Sequence, residues 1–467
     1  MATTLSTIRR VAVVGAGAGG LVAARALREE GCFTAIDVFE QRGNVGGVWN
    51  YTPQTKPTDI PSVDPNVVEN SDEKGTYISA VYDNLGTSHH IRHFWHMHLS
   101  NRSYVETNIP KTLMSFPEHP FSSTVPLFPH HTQVLSYLCT YSSDLHSCIQ
   151  FGTQVLSIVP SDPSPGWALT TSCNPSPIHY DAVMIATGHY NTPYIPPLPG
   201  LSTFPGTIVH SRNFRLPQEF AEKKVLLVGN SASAVDIAMQ LLPYVKGPLL
   251  QAIRSPTGSA MPPPEGIKAV PEISAVHSDG SMSFVDGTVV TNVDAILFAT
   301  GYLFTLPFLP KELGLVAPHG ERVMGTFQHV FYQRDPTLCF LGLPTKVVPF
   351  PLAQSQAAWV ARVFAGRLTL PAREEMEIWE KGEVEKKGNG RPFHYFGFPW
   401  DVEYMDAVEA MVDRAKGEGG LEPARWRGWE RWVRERVPKI KKAFEETGKK
   451  ALTMEELGFM FEDRGVL

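Results

Sequence analysis

Two stretches of this chain repeat one pattern, and that pattern leaves few folds open. Near the N-terminus, "RVAVVGAGAGG" runs a short β-branched strand, Val11–Val14, into a glycine loop. An Ala- and Leu-rich helical segment follows over Leu21–Glu29, then a second strand, Ala35–Phe39, that ends on Glu40. Further on, "KKVLLVGNSASAVDIAMQLL", Lys223–Leu242, gives strand, tight turn and helix again. Strand, turn and helix in that order are the first parts of a parallel β-α-β unit. Two more strands end alike, "DAVMIATGHY" at Asp181–Tyr190 and "DAILFATGY" at Asp294–Tyr302. Two units, each closed by its own Ala-Thr-Gly strand, predict an α/β fold of two nested Rossmann-like dinucleotide-binding domains. The Pro- and Gly-rich Asn191–Gly206 reads as the linker between them. The expected division places one domain in residues 1–203 and 305–467 and the other in 204–304. Residues 371–467 are expected as a helical, charged cap that packs a tryptophan face ("ARWRGWERWVRERV") on the core.

Gly15, Gly17 and Gly20 satisfy G-x-G-x-x-G. The first glycine permits the tight turn, and the second lets a pyrophosphate approach the backbone. The third lets the helix lie close on its strand, with the helix N-terminus facing the phosphates. Gly15, Ala16, Gly17, Ala18, Gly19 and Gly20 are therefore expected to cradle a dinucleotide. Glu40, followed by Gln41, stands about 20 residues on, where a carboxylate hydrogen-bonds a ribose hydroxyl and repels a 2′-phosphate. A non-phosphorylated adenosine, as in FAD or NAD, is expected. "GGVW" adds Gly47, Val48 and Trp49 to the same place. The second loop, Gly229, Asn230, Ser231 and Ala232, is degraded, with Ser231 and Ala234 where glycines would stand. No acid ends its next strand. Instead "LLQAIRS" carries Arg254, about 20 residues past the loop, where a guanidinium suits a 2′-phosphate. NADP rather than NAD is expected there.

Composition narrows the class further. A length of 467 residues is too great for one core. A formal charge of -6 gives no reason to expect nucleic acid or an anionic membrane as partner. The five cysteines are scattered, with no C-x-x-C pair, which argues against a disulfide framework and for a reducing compartment. No signal peptide and no membrane span are evident in the pattern, so a cytoplasmic location is expected. A homodimer is left open.

Between the two loops stands "FPGTIVHSRNF", which fits F-x-G-x-x-x-H-x-x-x-F through Phe204, Gly206, His210 and Phe214. Flanked by two dinucleotide loops, it resembles the signature of the flavin-containing monooxygenases, class B flavoprotein monooxygenases, and is especially similar to their soluble fungal-type branch. The resemblance runs from Arg10 to about the end and takes in "ETNIPKTLMSF", "FPHHTQVLSYL", "ATGHYNTPYIPPLPG" and "VVPFPLAQSQAAW". It implies FAD and NADPH as cofactors, with O2 and a small molecule as substrates. NADPH reduces FAD, O2 adds as a C4a-hydroperoxide, and a nitrogen or sulfur of the substrate takes one oxygen, in the setting of fungal secondary metabolism. The hard chemistry is the cofactor's, so few protein groups are strictly catalytic. By the same resemblance Asn108 is the catalytic residue, beside the flavin and the nicotinamide ribose. Thr107, Val155 and Gln354 also join the cofactor-binding set. Val348–Gln356 should begin a helix whose positive end points at the flavin. His210 takes a hinge position rather than that of a base. Related Baeyer–Villiger enzymes carry Trp where Phe214 stands, which makes ester formation from ketones the alternative. An inactive protein is a second alternative, because of the stretch described next.

"HHIRHFWHMH", His89–His98, packs five histidines into ten residues. Family members read approximately "YDNLETNIP" without a break, whereas here Gly86–Val105 interrupts it. A metal has no place in the flavin mechanism, and the stretch fits neither period 2 nor period 3.6. The readings are a translated intron, a genuine loop insertion or a metal site. For the first, Gly86-Thr87-Ser88 can be encoded with a splice donor, Ser100-Asn101 with a branch sequence and Val105-Glu106 with an acceptor. Splicing there would restore the uninterrupted text. The histidines are not expected to converge on a metal.

Overall fold

The computed structural model describes residues 5, 7–50, 106–162, 164–253 and 265–462. Gly86–Val105 with its five histidines, and Arg254, lie outside them. The described residues divide into two compact units, one of residues up to Asn50, Glu106–His189 and from Phe304 onward, the other of Tyr190–Leu303.

The first unit is built on a seven-stranded sheet. Its strands run in the order Thr326–Phe327, Phe331–Tyr332, Leu338–Phe340, Ala182–Ile185, Arg10–Val14, Ala35–Phe39, Ile149–Gln150. The five strands from Leu338–Phe340 onward pair in parallel. Val11, Ala12 and Val13 are fully buried. Such an unbroken apolar run is what a parallel strand covered on both faces requires. Helix α1, Ala18–Glu30, follows the first strand and ends on Gly31, whose φ of 67° makes the left-handed cap. Short helices α2 (Lys111–Met114) and α3 (His131–Tyr141) come next, then an antiparallel sheet of Val155–Pro160, Trp167–Thr171 and Ile178–Tyr180.

The second unit has a five-stranded parallel sheet in the order Ile267–Val270, Leu249–Ala252, Val225–Val228, Ala295–Phe298, Thr207–His210. Helix α4, Ala232–Leu241, follows its central strand. The segment expected as a linker belongs to this unit. Thr192–Pro193 pairs with Tyr302–Leu303, and a 3₁₀ turn forms over Leu201–Thr203. Proline and glycine here serve edge pairing and tight turns, not a free connection.

Helix α5, Pro349–Phe364, packs along α1 in the first unit. The cap is helical as expected, through α6 (Arg373–Lys387), α7 (Trp400–Val412) and α8 (Gly428–Glu446). Trp426, just ahead of α8, is buried at 5% exposure, but the buried face of α8 is not made of its tryptophans. Helix α8 buries Val433, Val437, Ile440 and Phe444 together with Arg434 and Lys441. Trp429 and Trp432 are only half-buried, and Trp432 lies edge-on to Phe461. Helical periodicity decides this, since the aliphatic positions recur at three- and four-residue steps and the tryptophans fall beside that stripe. Among the described residues, no helix is long and apolar enough to cross a membrane.

Candidate active site

The first glycine loop has the geometry that its sequence calls for. Gly15 sits at φ +101°, and a Cβ there would lie 2.7 Å from the Ala186 carbonyl oxygen. A Cβ on Gly20 would lie 1.8 Å from the Gly15 carbonyl oxygen, so only glycine lets α1 approach its strand this closely. Gly17 is the N-cap of α1 and offers no side chain to its first-turn amides, and no acid stands in that turn. Gly47 faces Gly17 backbone to backbone: a Cβ on Gly17 would meet the Gly47 Cα at 3.6 Å. The Gly46 N–H donates to the Ala16 carbonyl at 3.0 Å and ties the "GGVW" turn to the loop. Trp49, 3% exposed, packs edge-on to Phe350 in the first turn of α5, with ring centroids 6.4 Å apart. Helix α5 therefore begins beside this turn, with proline at its first position and neither a side-chain cap nor an acid in its first turn. Proline costs nothing there, because that N–H has no helical partner.

Glu40 is 6% exposed. Its Oε2 accepts the Ala16 N–H at 2.8 Å and its Oε1 the Arg42 N–H at 2.9 Å. Each carboxylate oxygen keeps acceptor capacity for a further donor. Gln41, next in the chain, is exposed. The Glu40 carbonyl accepts the Thr153 N–H at 2.9 Å. Val155, two residues on, is buried in one cluster with Val14 and Phe39.

The second loop repeats the arrangement. Gly229 has φ +122°, and a Cβ there would lie 2.4 Å from the Ala299 carbonyl oxygen. Ser231 caps α4 without a side-chain bond. Gln251 braces the loop, its Nε2 donating to Gly229 O at 2.8 Å and Asn230 Oδ1 at 3.3 Å. The two units can be aligned by their hydrogen bonds. Gly15 N–H donates to Phe39 O and Glu40 N–H to Gln150 O, while Gly229 N–H donates to Ala252 O and Ile253 N–H to Val270 O. The residue in Glu40's place is thus Ile253, with Arg254 directly after it.

Thr107 and Asn108 lie in the first unit on a loop before α2. Thr107 is 2% exposed, donates its N–H to Pro129 O at 2.9 Å and its Oγ1 to Ile109 O at 2.8 Å. Asn108 is half-buried and makes no hydrogen bond among the described residues, so it does not cap α2. Gln354 is 1% exposed on α5, and its Nε2 is held by Glu118 Oε2 and Glu422 O at 2.9 Å each. His210 is fully buried. Its Nδ1 accepts the Arg212 N–H at 3.1 Å, which leaves the proton on Nε2 to be donated to Gly301 O, also at 3.1 Å. Burial pushes this imidazole down to about 3. A neutral ring with both nitrogens engaged is a strut, not a base. Among the described residues no group of three or more His, Cys, Asp or Glu is placed to hold a metal ion.

The chain matches the flavin-binding monooxygenase-like family over residues 98–254 and 266–416, and a NAD(P)-binding Rossmann-like domain over 13–69. It belongs to the flavin-binding monooxygenase-like family. A curated relative, flavin-containing monooxygenase GS-OX-like 7 of Arabidopsis thaliana, is 34% identical over 80% of this chain and 76% of its own length. Another, GS-OX5 of the same plant, is 33% identical over 87% and 86%. The solved S-allyl-L-cysteine S-oxygenase of Allium sativum superposes with a TM-score of 0.77 at 29% identity and covers 98% of each chain. Cyclohexanone monooxygenase shares the fold alone, at 15% identity and a TM-score of 0.56. As a member of this family the protein is an oxidoreductase, a flavoprotein monooxygenase that uses FAD and NADPH.

Sequence reasoning missed the residues that hold these loops by their backbones. Ala186 and Ala299 meet the loop glycines through carbonyl oxygens, and no side-chain signal marks that. The Arg42 guanidinium donates to Gly47 O at 2.5 Å, a contact that only the folded turn creates.

Proposed function

We propose that this monooxygenase oxygenates a sulfur or nitrogen of a small molecule at the expense of NADPH and O2. The observation that carries the reading is the contrast between the two loops, an acid at Glu40 in one and Ile253 in the same place of the other. It supports FAD at the first loop and a 2′-phosphorylated nucleotide at the second. The uncapped amides of α1 around Gly17–Gly20, the Glu40 carboxylate, Gln41, Gly47–Trp49 and Val155 fit the adenosine and pyrophosphate of FAD. Gly229–Ala232 and Arg254 fit the NADPH phosphates. When bound, the flavin and the nicotinamide supply the redox and oxygen chemistry. The protein contributes binding, exclusion of water and two polar groups: the Asn108 amide, which no described residue engages and which can donate and accept at once, and the positive end of α5. Thr107 and Gln354 act through the backbone and helix that they fix. Phe214 supports heteroatom oxidation over ester formation, and the likeness to an S-oxygenase makes a thioether the first substrate to try.

The test gives purified protein NADPH in air with a thioether amino acid, a tertiary amine and a cyclic ketone in turn. The expected product is the thioether or the amine one oxygen heavier, with the ketone unchanged. An ester from the ketone, or peroxide as the only product, would sink the reading. For Gly86–Val105 the translated-intron reading stands as part of this proposal. The family match begins at residue 98 and the Rossmann match ends at 69, so the first part of the stretch lies in neither. A cDNA across these codons decides it.

A further inference from the structure

Lys441 lies on the buried face of α8, 8% exposed, among Val437, Ile440 and Phe444. Burying an ammonium is costly unless it is paired. A position that needed only packing would be served by Leu or Met. Burial lowers this lysine's pKa, and the Glu106 and Glu445 carboxylates work against that fall. The Nζ atom donates to the Thr107 carbonyl at 3.1 Å and lies 3.4 Å from Glu106 Oε2. It also stands over the Phe128 and Phe444 rings, 4.7 and 5.5 Å from their centroids. Lys449 approaches the same Glu106 oxygen at 3.2 Å, and Glu106 bridges to His130 backbone to backbone.

The two residues so gripped are those immediately before Asn108. Thr107 is held on three sides: its N–H by Pro129, its hydroxyl by Ile109 and its carbonyl by Lys441. Asn108 follows with an amide that no described residue engages. A rigid frame around one unengaged polar group is how a protein presents a functional side chain. We infer that Lys441 is the positioning residue for Asn108, and that α8, at the far end of the sequence, is the support of the oxygenation site. This rests on the assignment of Asn108 under the proposed function. It also explains how Asn108 keeps its place directly after a stretch as atypical as Gly86–Val105, because the grip begins at Glu106.

The experiment compares Lys441→Met, Lys441→Arg, Asn108→Ala and the Lys441→Met/Asn108→Ala double variant, all as flavin-loaded full chains. Two quantities are read: product formed per NADPH consumed, and hydrogen exchange of the Thr107 amide. A small misplacement of a reacting group costs on the order of tenfold to a hundredfold. Lys441→Met should lose coupling on that scale while still oxidising NADPH, and should exchange Thr107 faster. Lys441→Arg should restore both, and the double variant should be no worse than Asn108→Ala. If Asn108→Ala uncouples while Lys441→Met stays coupled, or if Thr107 exchange is unmoved in Lys441→Met, the positioning role is overturned and the assignment of Asn108 survives. If Asn108→Ala itself stays coupled, the assignment fails and the inference with it. Should Lys441→Met not retain flavin, Lys441→Arg decides: coupling kept with Thr107 protection lost overturns the role, and both kept together uphold it.

Discussion

In the proposed function a single side chain, present in one loop and absent from the other, separates the two nucleotides. Glu40 was legible in the sequence from its spacing to Gly15–Gly20. What spacing cannot convey is that its carboxylate is already tied to the Ala16 and Arg42 amides, which fixes the glycine loop as well as offering an acceptor. In the second unit Ile253 leaves no anion to repel a 2′-phosphate, and the next residue, Arg254, is the only cation of "LLQAIRS". A hydrogen-bonded charged contact is worth roughly 1.5–3 kcal/mol. Arg254→Ala should therefore raise KM for NADPH by about 10- to 150-fold and leave KM for NADH nearly unchanged. Steady-state kinetics with the two nucleotides check this, and equal changes for both would remove Arg254 from the phosphate.

Among elements, those set by local pattern were legible and those set by packing were not. The strand Ala35–Phe39 falls where its β-branched run ends, and α5 starts within one residue of the expected Val348, because proline at a first helical position is a local signal. Asn191–Gly206 misled, because proline and glycine mark turns inside a unit as readily as links between units. Trp426 is buried as expected, whereas Trp429 and Trp432 fall beside the buried stripe of α8, because helical periodicity and not aromatic content sets which face is buried. Which polar residues share the buried stripe could not be read at all. Arg434 and Asp401 are 5% and 1% exposed and meet at 2.7 Å, joining α8 to α7. Burial raises the Asp401 carboxyl, and Arg434 opposes that rise. Removing one partner of a buried pair costs about 3–5 kcal/mol, whereas replacing both by apolar groups can be nearly neutral. Arg434→Met should lower the denaturant midpoint strongly, and Arg434→Met/Asp401→Leu should recover much of the loss. A double variant as weak as the single one would show that packing, not the unpaired carboxylate, is what fails.

At the scale of the molecule, acid sensitivity is concentrated in buried imidazoles. His329 and His394 in the first unit and His210 in the second are buried, His189 is half-buried with its ring nitrogens covered, and burial lowers all four, His189 to about 4 and His210 to about 3. The His329–His394 pair shows why. His394 Nε2 lies 3.1 Å from the Val323 backbone nitrogen and 3.2 Å from its carbonyl oxygen, and the Nδ1 atoms of the two rings meet at 2.9 Å, where one neutral ring donates to the other. His329 Nε2 is buried and meets no hydrogen-bond partner among the described residues. A further proton would have to enter an aromatic enclosure of Trp379, Phe393, Phe396 and Tyr404, with the Arg322 and Lys387 cations already disfavouring it. These groups are depressed in the folded state, so the unfolded chain binds more protons than the fold below its ordinary histidine pKa of about 6.5. Their contribution is complete above that value and is lost as pH falls toward the folded values. At pH 5 the loss is about 2 kcal/mol per imidazole, and it depends on the unfolded value rather than on how deep the folded one lies. Glu29, Asp401 and Glu445 are raised by burial and act in the opposite sense, so the net fall is smaller than the sum over the histidines. The thermal midpoint, followed from about pH 7.5 to about pH 5, should hold until near the histidine range and then drop. A midpoint flat across that interval would mean that these rings take up protons within the folded chain, and the buried neutral pair would have to be abandoned.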